Sequence, residues 1–182
     1  MSILLHKEII DNYNDGLIHI DPFNEDSVAP NSYDVRLSNK LKIYISKNPY
    51  EPLVLDCKKK HTTLTLTIPE EGFILEPGVL YLGSTIEEIG SDHFIPMFEG
   101  VSSLARLGLM THLSSSFGSI GFKKNWTTEM QAVYPIKIYP GIKIGQVYFN
   151  RINSEENLAE NRYKGKYYEQ DGPRESMSHL NF

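Results

Sequence analysis

The amino-acid sequence predicts a mainly β fold, an antiparallel barrel or jelly-roll-like structure with a few short helices. Short stretches of alternating apolar and polar residues recur along the chain, most cleanly over residues 63–68. Two Pro-Gly pairs, at 77–78 and 140–141, separate apolar runs in the way that β-turns do. Stretches with helical periodicity are few and short. The length of 182 residues fits one domain with a substantial core.

The first 45 residues contain one predicted helix followed by strands. Residues 2–13 carry apolar side chains at helical spacing, and Gly16 ends the pattern. Residues 17–22 form a short strand. Alternate side chains of residues 30–39 face the core, and the chain continues as a strand over residues 41–45. The inward-facing set is Tyr33, Val35 and Leu37.

Each Pro-Gly pair is predicted to join two strands, because Pro presets φ and Gly accepts a positive φ. Residues 73–85 contain the first pair and residues 134–149 the second. In the second region the apolar residues change from even to odd positions between Ile144 and Val147. This change predicts a β-bulge at Gly145-Gln146 that reorients Gln146, for either a structural or a functional reason.

Residues 100–109 are predicted to form a turn and about two turns of helix. Ser102 is a suitable N-cap and Gly108 a suitable end. Arg106 lies four residues after Ser102 and shares its helical face. Free N–H groups at this helix start could bind a phosphate, although an ordinary capped helix has the same pattern. The side chains expected in the core are Leu104, Leu107 and Leu109.

Composition indicates a cytoplasmic protein without a membrane span. The net charge of −5 argues against general binding to nucleic acid. No apolar run approaches the ~20 residues that a transmembrane helix needs, and the N-terminus lacks a secretory pattern. The single cysteine, Cys57, and the six histidines show no metal-ligand spacing. We therefore predict no protein-bound metal, and the signature of zinc-dependent nucleoside deaminases is absent from the sequence.

Two regions of the chain differ in composition. Residues 1–152 form the predicted β domain, including the N-terminal helix. Residues 153–182 are rich in Asn, Glu, Lys and Tyr and lack sustained periodicity. Because this tail can bury little apolar surface, we expect it to be loose unless a ligand or a neighbouring subunit orders it.

Glu129 is the acid in a predicted strand at residues 126–130. Its carboxylate either faces solvent or lies in a functional site. In an enclosed site such a carboxylate could act as a proton shuttle.

Several segments together resemble the dCTP deaminase family of the dUTPase-like superfamily. They occur in the family's order and cover most of the chain, and the SSLARLGL, TTE and PGIKIGQ strings are the most specific. The matching segments are residues 30–37, 73–85, 101–109, 121–129, 139–146 and 163–173.

This resemblance implies a homotrimer with a distorted jelly-roll fold and active sites between subunits. It implies zinc-independent hydrolysis of dCTP to dUTP and ammonia, with Mg²⁺ accompanying the triphosphate and dUTP or dTTP as product or feedback ligands. Glu129 matches the catalytic base, Arg106 and Ser102 match residues that support it, and the tail closes over the nucleotide. The implied substrate-binding residues are Ser103, Gln146, Lys166, Gln170 and Tyr163.

Three positions depart from the family pattern. Val101 replaces a usual Arg, Phe117 stands where a basic residue is common, and Ser119 replaces an Asp that lies near the sugar in the superfamily. These changes affect phosphate and deoxyribose binding more than chemistry at the base. They favour dUTP as the product, because Val101 offers no charge for phosphoryl transfer and Ser119 is a poorer base than Asp. The alternatives are a bifunctional enzyme that forms dUMP and a non-catalytic nucleotide-binding protein.

Overall fold

A computed structural model describes residues 2–48, 50–153, 160 and 162–182. In these residues the helices are α1 (His6–Asn14) and α2 (Ser102–Ala105), with short 3₁₀ turns at Glu25–Ser27 and Ser178–Asn181. The strands are β1 (Ile18–Asp21), β2 (Tyr33–Arg36), β3 (Lys40–Tyr44), β4 (Thr63–Thr67), β5 (Phe73–Leu75), β6 (Tyr81–Ser91), β7 (Phe94–Gly100), β8 (Leu109–Met110), β9 (Lys124–Ala132), β10 (Ile136–Ile138) and β11 (Lys143–Arg151).

The strands form three antiparallel sheets around one core. The largest has the order β4-β3-β6-β9-β8, and β1 also pairs with β6. A second sheet has the order β2-β11-β7, and the third contains β5 and β10. This architecture confirms the mainly β fold with few short helices. The predicted inward-facing residues of the β2 region are fully buried: Tyr33, Val35 and Leu37.

Both Pro-Gly turns connect different sheets instead of forming hairpins. Gly78 and Gly141 have φ values of 81° and 77°, as the turn chemistry requires. However, β5 pairs with β10, in the register Ile136↔Leu75, while β6 and β11 belong to the two larger sheets. Each turn therefore leads the chain between the two-stranded sheet and a larger sheet.

The predicted bulge lies in β11, where the pairing with β2 shifts between Lys143 and Gly145. This shift places the irregularity next to the predicted Gly145-Gln146 position. Beyond it, Gln146 lies opposite Asp34, and its Oε1 accepts a hydrogen bond from Ser32 Oγ at 2.9 Å. Gln146 thus has a partner inside its own chain.

The N-terminal helix is shorter than predicted. Residues before His6 are extended, because Leu4 N–H donates to Phe149 O at 3.0 Å and Ile3 forms a bridge with Asn150. Leu4 is fully buried by this pairing. Contact with β11 therefore overrides the helical pattern of residues 2–5.

Helix α2 is a single turn, half of the predicted length. Its N-cap is Val101 and not Ser102, and no side chain caps it. Gly108 ends the turn with a φ of 89°, as predicted. Leu109 is buried, but Leu107 is 58% exposed because the helix ends before it and the chain turns. The expectation that Leu107 packs in the core is therefore wrong.

The described part of the tail packs against the β domain. Tyr163 N–H donates to Ile120 O at 2.7 Å, and Gln170 is 5% exposed. Lys42 Nζ lies 2.6 Å from Glu175 Oε2. The expectation of a loose tail is therefore wrong for residues 162–182, because hydrogen bonds and an ion pair supplement their small apolar surface. The remaining tail positions, 154–159 and 161, lie outside the described residues.

None of the helices in the described ranges is long and apolar enough to span a lipid bilayer.

Candidate active site

A cavity of ≈ 480 Å³ lies between β9, the loop before it and the tail. Among the described residues, its lining contains one carboxylate, that of Glu129 on β9. Hydroxyl groups from the loop and aromatic side chains surround this acid. The lining residues that the chemistry below uses are Glu129, Ser114, Ser119, Trp126, Tyr163 and Gln170.

The Glu129 carboxylate is held by the loop that follows β8. Its Oε2 accepts from Leu113 N–H at 3.2 Å and from Ser114 Oγ at 3.2 Å. Ser114 Oγ also lies 3.4 Å from Oε1. A carboxylate has about four acceptor positions, so these donors leave room for a water or a base edge. Glu129 is half-buried, and its strand neighbours Thr128 and Met130 point into the core.

Aromatic side chains form one wall of the cavity. Trp126 Nε1 donates to Ile89 O at 2.9 Å, which fixes the indole ring. Phe122 contacts Tyr163 edge to face, with ring centroids 5.6 Å apart. A Cβ on Gly118 would lie 2.3 Å from the Trp126 ring, so only glycine allows the loop to pack this closely. A wall of aromatic rings suits a planar, partly apolar ligand such as a nucleobase.

The tail closes another side of the cavity. Tyr163, Gln170 and Arg174 line it. Gln170 Nε2 donates to Asn125 O, and Arg174 N–H donates to Thr127 Oγ1 at 3.0 Å. Both contacts fix the tail along the exposed face of β9, beside Glu129.

An ion pair strengthens this docking. Burial raises the pKa of Glu175, but the hydrogen bond and charge of Lys42, with a contribution from Arg174, outweigh it and hold that pKa below its usual value. Glu175 is therefore ionised near neutral pH and holds Lys42 on β3.

The other predicted site residues do not line this cavity within one chain. Ser102, Ser103 and Arg106 are exposed on and beside α2. Lys166 Nζ donates to Asn181 Oδ1 at 2.8 Å, and Gln146 contacts Ser32. A single chain therefore brings together Glu129, Tyr163 and Gln170 only.

Three residues of the cavity were missed by the sequence analysis. Ser114 lies in a Ser-rich loop, where hydrophobic periodicity gives no information about function. Trp126 was assigned to a strand and given no functional role. Arg174 lies in the tail, where no pattern distinguished it. Of the departures from the family pattern, Phe117 and Ser119 line the cavity, whereas Val101 does not.

Comparison with known proteins places the chain in a family. The dCTP deaminase-like family profile matches residues 3–152. Proteins named "dCTP deaminase, dUMP-forming" are similar over 99% of this chain: that of Hathewaya histolytica is 44% identical over 99% of its length, and that of Clostridium acetobutylicum 41% over 98%.

A solved structure shows the same fold. The structure of 2'-deoxycytidine 5'-triphosphate deaminase from Agrobacterium tumefaciens matches 87% of this chain with a TM-score of 0.64 and 20% identity. This chain spans 51% of that protein's length. Since the family profile covers most of the chain and the relatives align almost end to end, the chain belongs to the dCTP deaminase-like family.

Proposed function

We propose that the protein catalyses the hydrolytic deamination of dCTP and releases dUMP as its final product. The observation that carries the proposal is Glu129, the one carboxylate that lines the cavity among the described residues, at the position that matches the family's catalytic glutamate. The aromatic wall and the tail give this acid a partly enclosed setting, which proton transfer to and from a nucleobase requires.

In the proposed reaction, cytosine lies against the aromatic wall with C4 and N3 near Glu129. The carboxylate takes a proton from a water molecule that attacks C4. It passes this proton to N3, then takes the second proton from the new C4 hydroxyl and gives it to the amine, so that the C4–N bond breaks, ammonia leaves and the C4 carbonyl forms. The Ser114 hydroxyl and Leu113 N–H orient the carboxylate for this task.

In this proposal, Ser102 and Arg106 act on the site from a neighbouring subunit of a homotrimer. Both are exposed and lie outside the cavity of their own chain. In such an assembly Arg106 would stabilise developing charge beside Glu129, and Ser102 would orient the water. Ser103, Gln146 and Lys166 would complete the contacts to the nucleotide from the shared interface and the tail.

In this proposal, Mg²⁺ binds together with the triphosphate of the substrate. No group of three or more His, Cys, Asp or Glu side chains that could hold a metal occurs among the described residues. The described lining residues offer one carboxylate, which fits an ion bound mostly through phosphate oxygens and water. Such an ion would neutralise phosphate charge.

The choice of dUMP corrects the expectation of dUTP. The relatives with 41–44% identity cited above are named dUMP-forming, which favours the bifunctional alternative. Like Ser102, Val101 lies outside its own chain's cavity. Mg²⁺ or another cation can supply the charge that Val101 lacks, so this residue does not exclude dUMP as the product. Ser119 does line the cavity and retains a hydroxyl that can orient a water or the sugar.

Incubation with dCTP and Mg²⁺, followed by ion-exchange chromatography and an ammonia assay, tests this proposal. We expect ammonia and pyrophosphate to appear together, with dUMP as the main product. Glu129→Gln should lower kcat for deamination by about 10²–10⁴-fold, because it removes the proton acceptor. dUTP as the lasting product would support simple deamination, and nucleotide binding without ammonia would support the non-catalytic alternative.

A further inference from the structure

Arg174 is the one positively charged residue that lines the cavity in the part of the chain that the structure describes. The other charged residue in the described lining is Glu129, so the formal charges of these described residues sum to zero. The proposed substrate brings several negative charges to this place. A partly enclosed anion needs cations or hydrogen-bond donors close to it.

The backbone of Arg174 is fixed at the rim of the site. Its N–H donates to Thr127 Oγ1 at 3.0 Å. Thr127 precedes Glu129 by two residues on β9, so both side chains lie on one face of the strand, about 7 Å apart along it. On the tail itself, Gln170 and Pro173 are buried. An extended arginine side chain can therefore reach a ligand that contacts Glu129.

The Arg174 side chain differs from the other cations near the cavity. Lys123 and Arg162 both contact Asp92, at 2.6 Å and 3.1 Å, and Lys42 contacts Glu175. Arg174 is exposed, and no ion pair joins it to another residue in the described parts of the chain. Its guanidinium is thus available to a ligand.

We infer that Arg174 binds the triphosphate of the nucleotide in this cavity and determines affinity for phosphorylated substrates. This inference rests on the proposed function. It explains how the chain can carry Val101 at a position where the family usually has Arg: the tail supplies the positive charge. A guanidinium is suited to the role because its planar N–H groups can bind two phosphate oxygens at once.

Steady-state kinetics with dCTP and Mg²⁺ test the role of Arg174. Arg174→Gln should raise KM at least about tenfold and leave kcat within about twofold, since a charged hydrogen bond is lost far from C4. The KM of Arg174→Lys should lie between those of wild type and Arg174→Gln, because lysine keeps the charge and loses the bidentate geometry. Lys164→Gln, which removes a charge from an exposed site on the same tail, is the matched control and should change neither constant.

Calorimetric titration with inorganic triphosphate and Mg²⁺ separates this inference from the proposed function. Wild type and Lys164→Gln should bind it, and Arg174→Gln should bind at least about tenfold more weakly. If wild type releases no ammonia from dCTP, the proposed function fails, while the titration still tests Arg174. Unchanged affinity in Arg174→Gln, an equal loss in Lys164→Gln, no binding by wild type, or a fall in kcat alone would each overturn the inference.

Discussion

At the scale of single residues, the contacts of Glu129 explain how an acid is tolerated in a core-forming strand. Thr128 and Met130 point into the core, whereas Glu129 points into the cavity and receives hydrogen bonds from the 113–114 loop. The alternation of a β-strand thus separates the packing side chains from the reactive one. The sequence left two alternatives for Glu129, a solvent-facing or a functional carboxylate. In the structure the side chain is partly exposed and lines the cavity.

Gly118 gives a testable consequence of the tight packing around Trp126. Gly118→Ala would place a Cβ 2.3 Å from the Trp126 ring, which is held by its hydrogen bond to Ile89 O. We expect the loop or the ring to shift, with a loss of about 1–3 kcal/mol in the free energy of unfolding. Chemical denaturation, monitored by tryptophan fluorescence, measures this free energy of unfolding.

Gly118→Ala needs a control substitution to alanine. Gly16→Ala is unsuitable, because Gly16 has a positive φ that alanine adopts only with strain. A better control is Ser115→Ala in the same loop, which adds no atom and loses only an exposed hydrogen bond from Phe117 N–H at 3.3 Å, so it should cost less than Gly118→Ala. An unfolding free energy of Gly118→Ala equal to that of wild type would contradict the packing argument.

At the scale of elements, the tail shows how a polar segment can dock without a large apolar face. Tyr44 OH accepts from Ser176 N–H at 2.8 Å, and Tyr167 OH accepts from Met177 N–H at 3.0 Å. Tyrosine hydroxyl groups therefore satisfy tail backbone groups. Composition alone underestimates such docking, because it measures apolar content and not the available hydrogen-bond partners.

The Lys42–Glu175 ion pair should make tail docking dependent on pH. The folded-state pKa of Glu175 is lowered from 4.5, so its contribution is fully present above that value and is lost as the pH falls below it. At pH 7, Glu175→Gln should remove about 1 kcal/mol of docking free energy and speed amide exchange of residues 174–177 roughly fivefold. Hydrogen–deuterium exchange with mass spectrometry, corrected for intrinsic rates, measures this effect.

Glu169→Gln is the matched control, because Glu169 is an exposed acid of the same tail. It should leave the exchange rates unchanged. The difference between wild type and Glu175→Gln should disappear as the pH falls well below 4.5. Equal exchange in the two proteins at pH 7 would show that the ion pair does not hold the tail.

At the scale of the whole molecule, one chain presents an incomplete set of predicted site residues. Glu129 lies in the cavity, while Arg106 is exposed on the turn after α2 and lies outside its lining. Close to α2 the surface carries exposed apolar side chains, which is uncommon for a surface that faces only water. The exposed set is Leu107, Met110, Val133 and Tyr134. These features favour sites shared between subunits.

Subunit mixing tests this arrangement. Arg106→Gln and Glu129→Gln should each be nearly inactive alone. After the two are unfolded together and refolded, random trimers should contain intact Glu129–Arg106 pairs at about a quarter of their sites and regain a similar share of activity. Each variant refolded alone is the control, and sedimentation velocity should show a trimer throughout. No recovery of activity in the mixture would place both residues in one subunit's site.

Periodicity and turn residues predict most of the strands, the bulge in β11, the turn at Gly108 and the inward residues of β2, but not β7 or β8. Each depends on side-chain period or on backbone preference, which neighbouring residues fix. The motifs also indicate the family, because several specific strings occur in the family's order along most of the chain.

The folded structure establishes the non-local features. It paired β5 with β10, extended residues 2–5 along β11, docked residues 162–182 beside Glu129 and placed Arg174 at the cavity. These outcomes depend on hydrogen-bond partners far away in the sequence, and local periodicity carries no information about such partners.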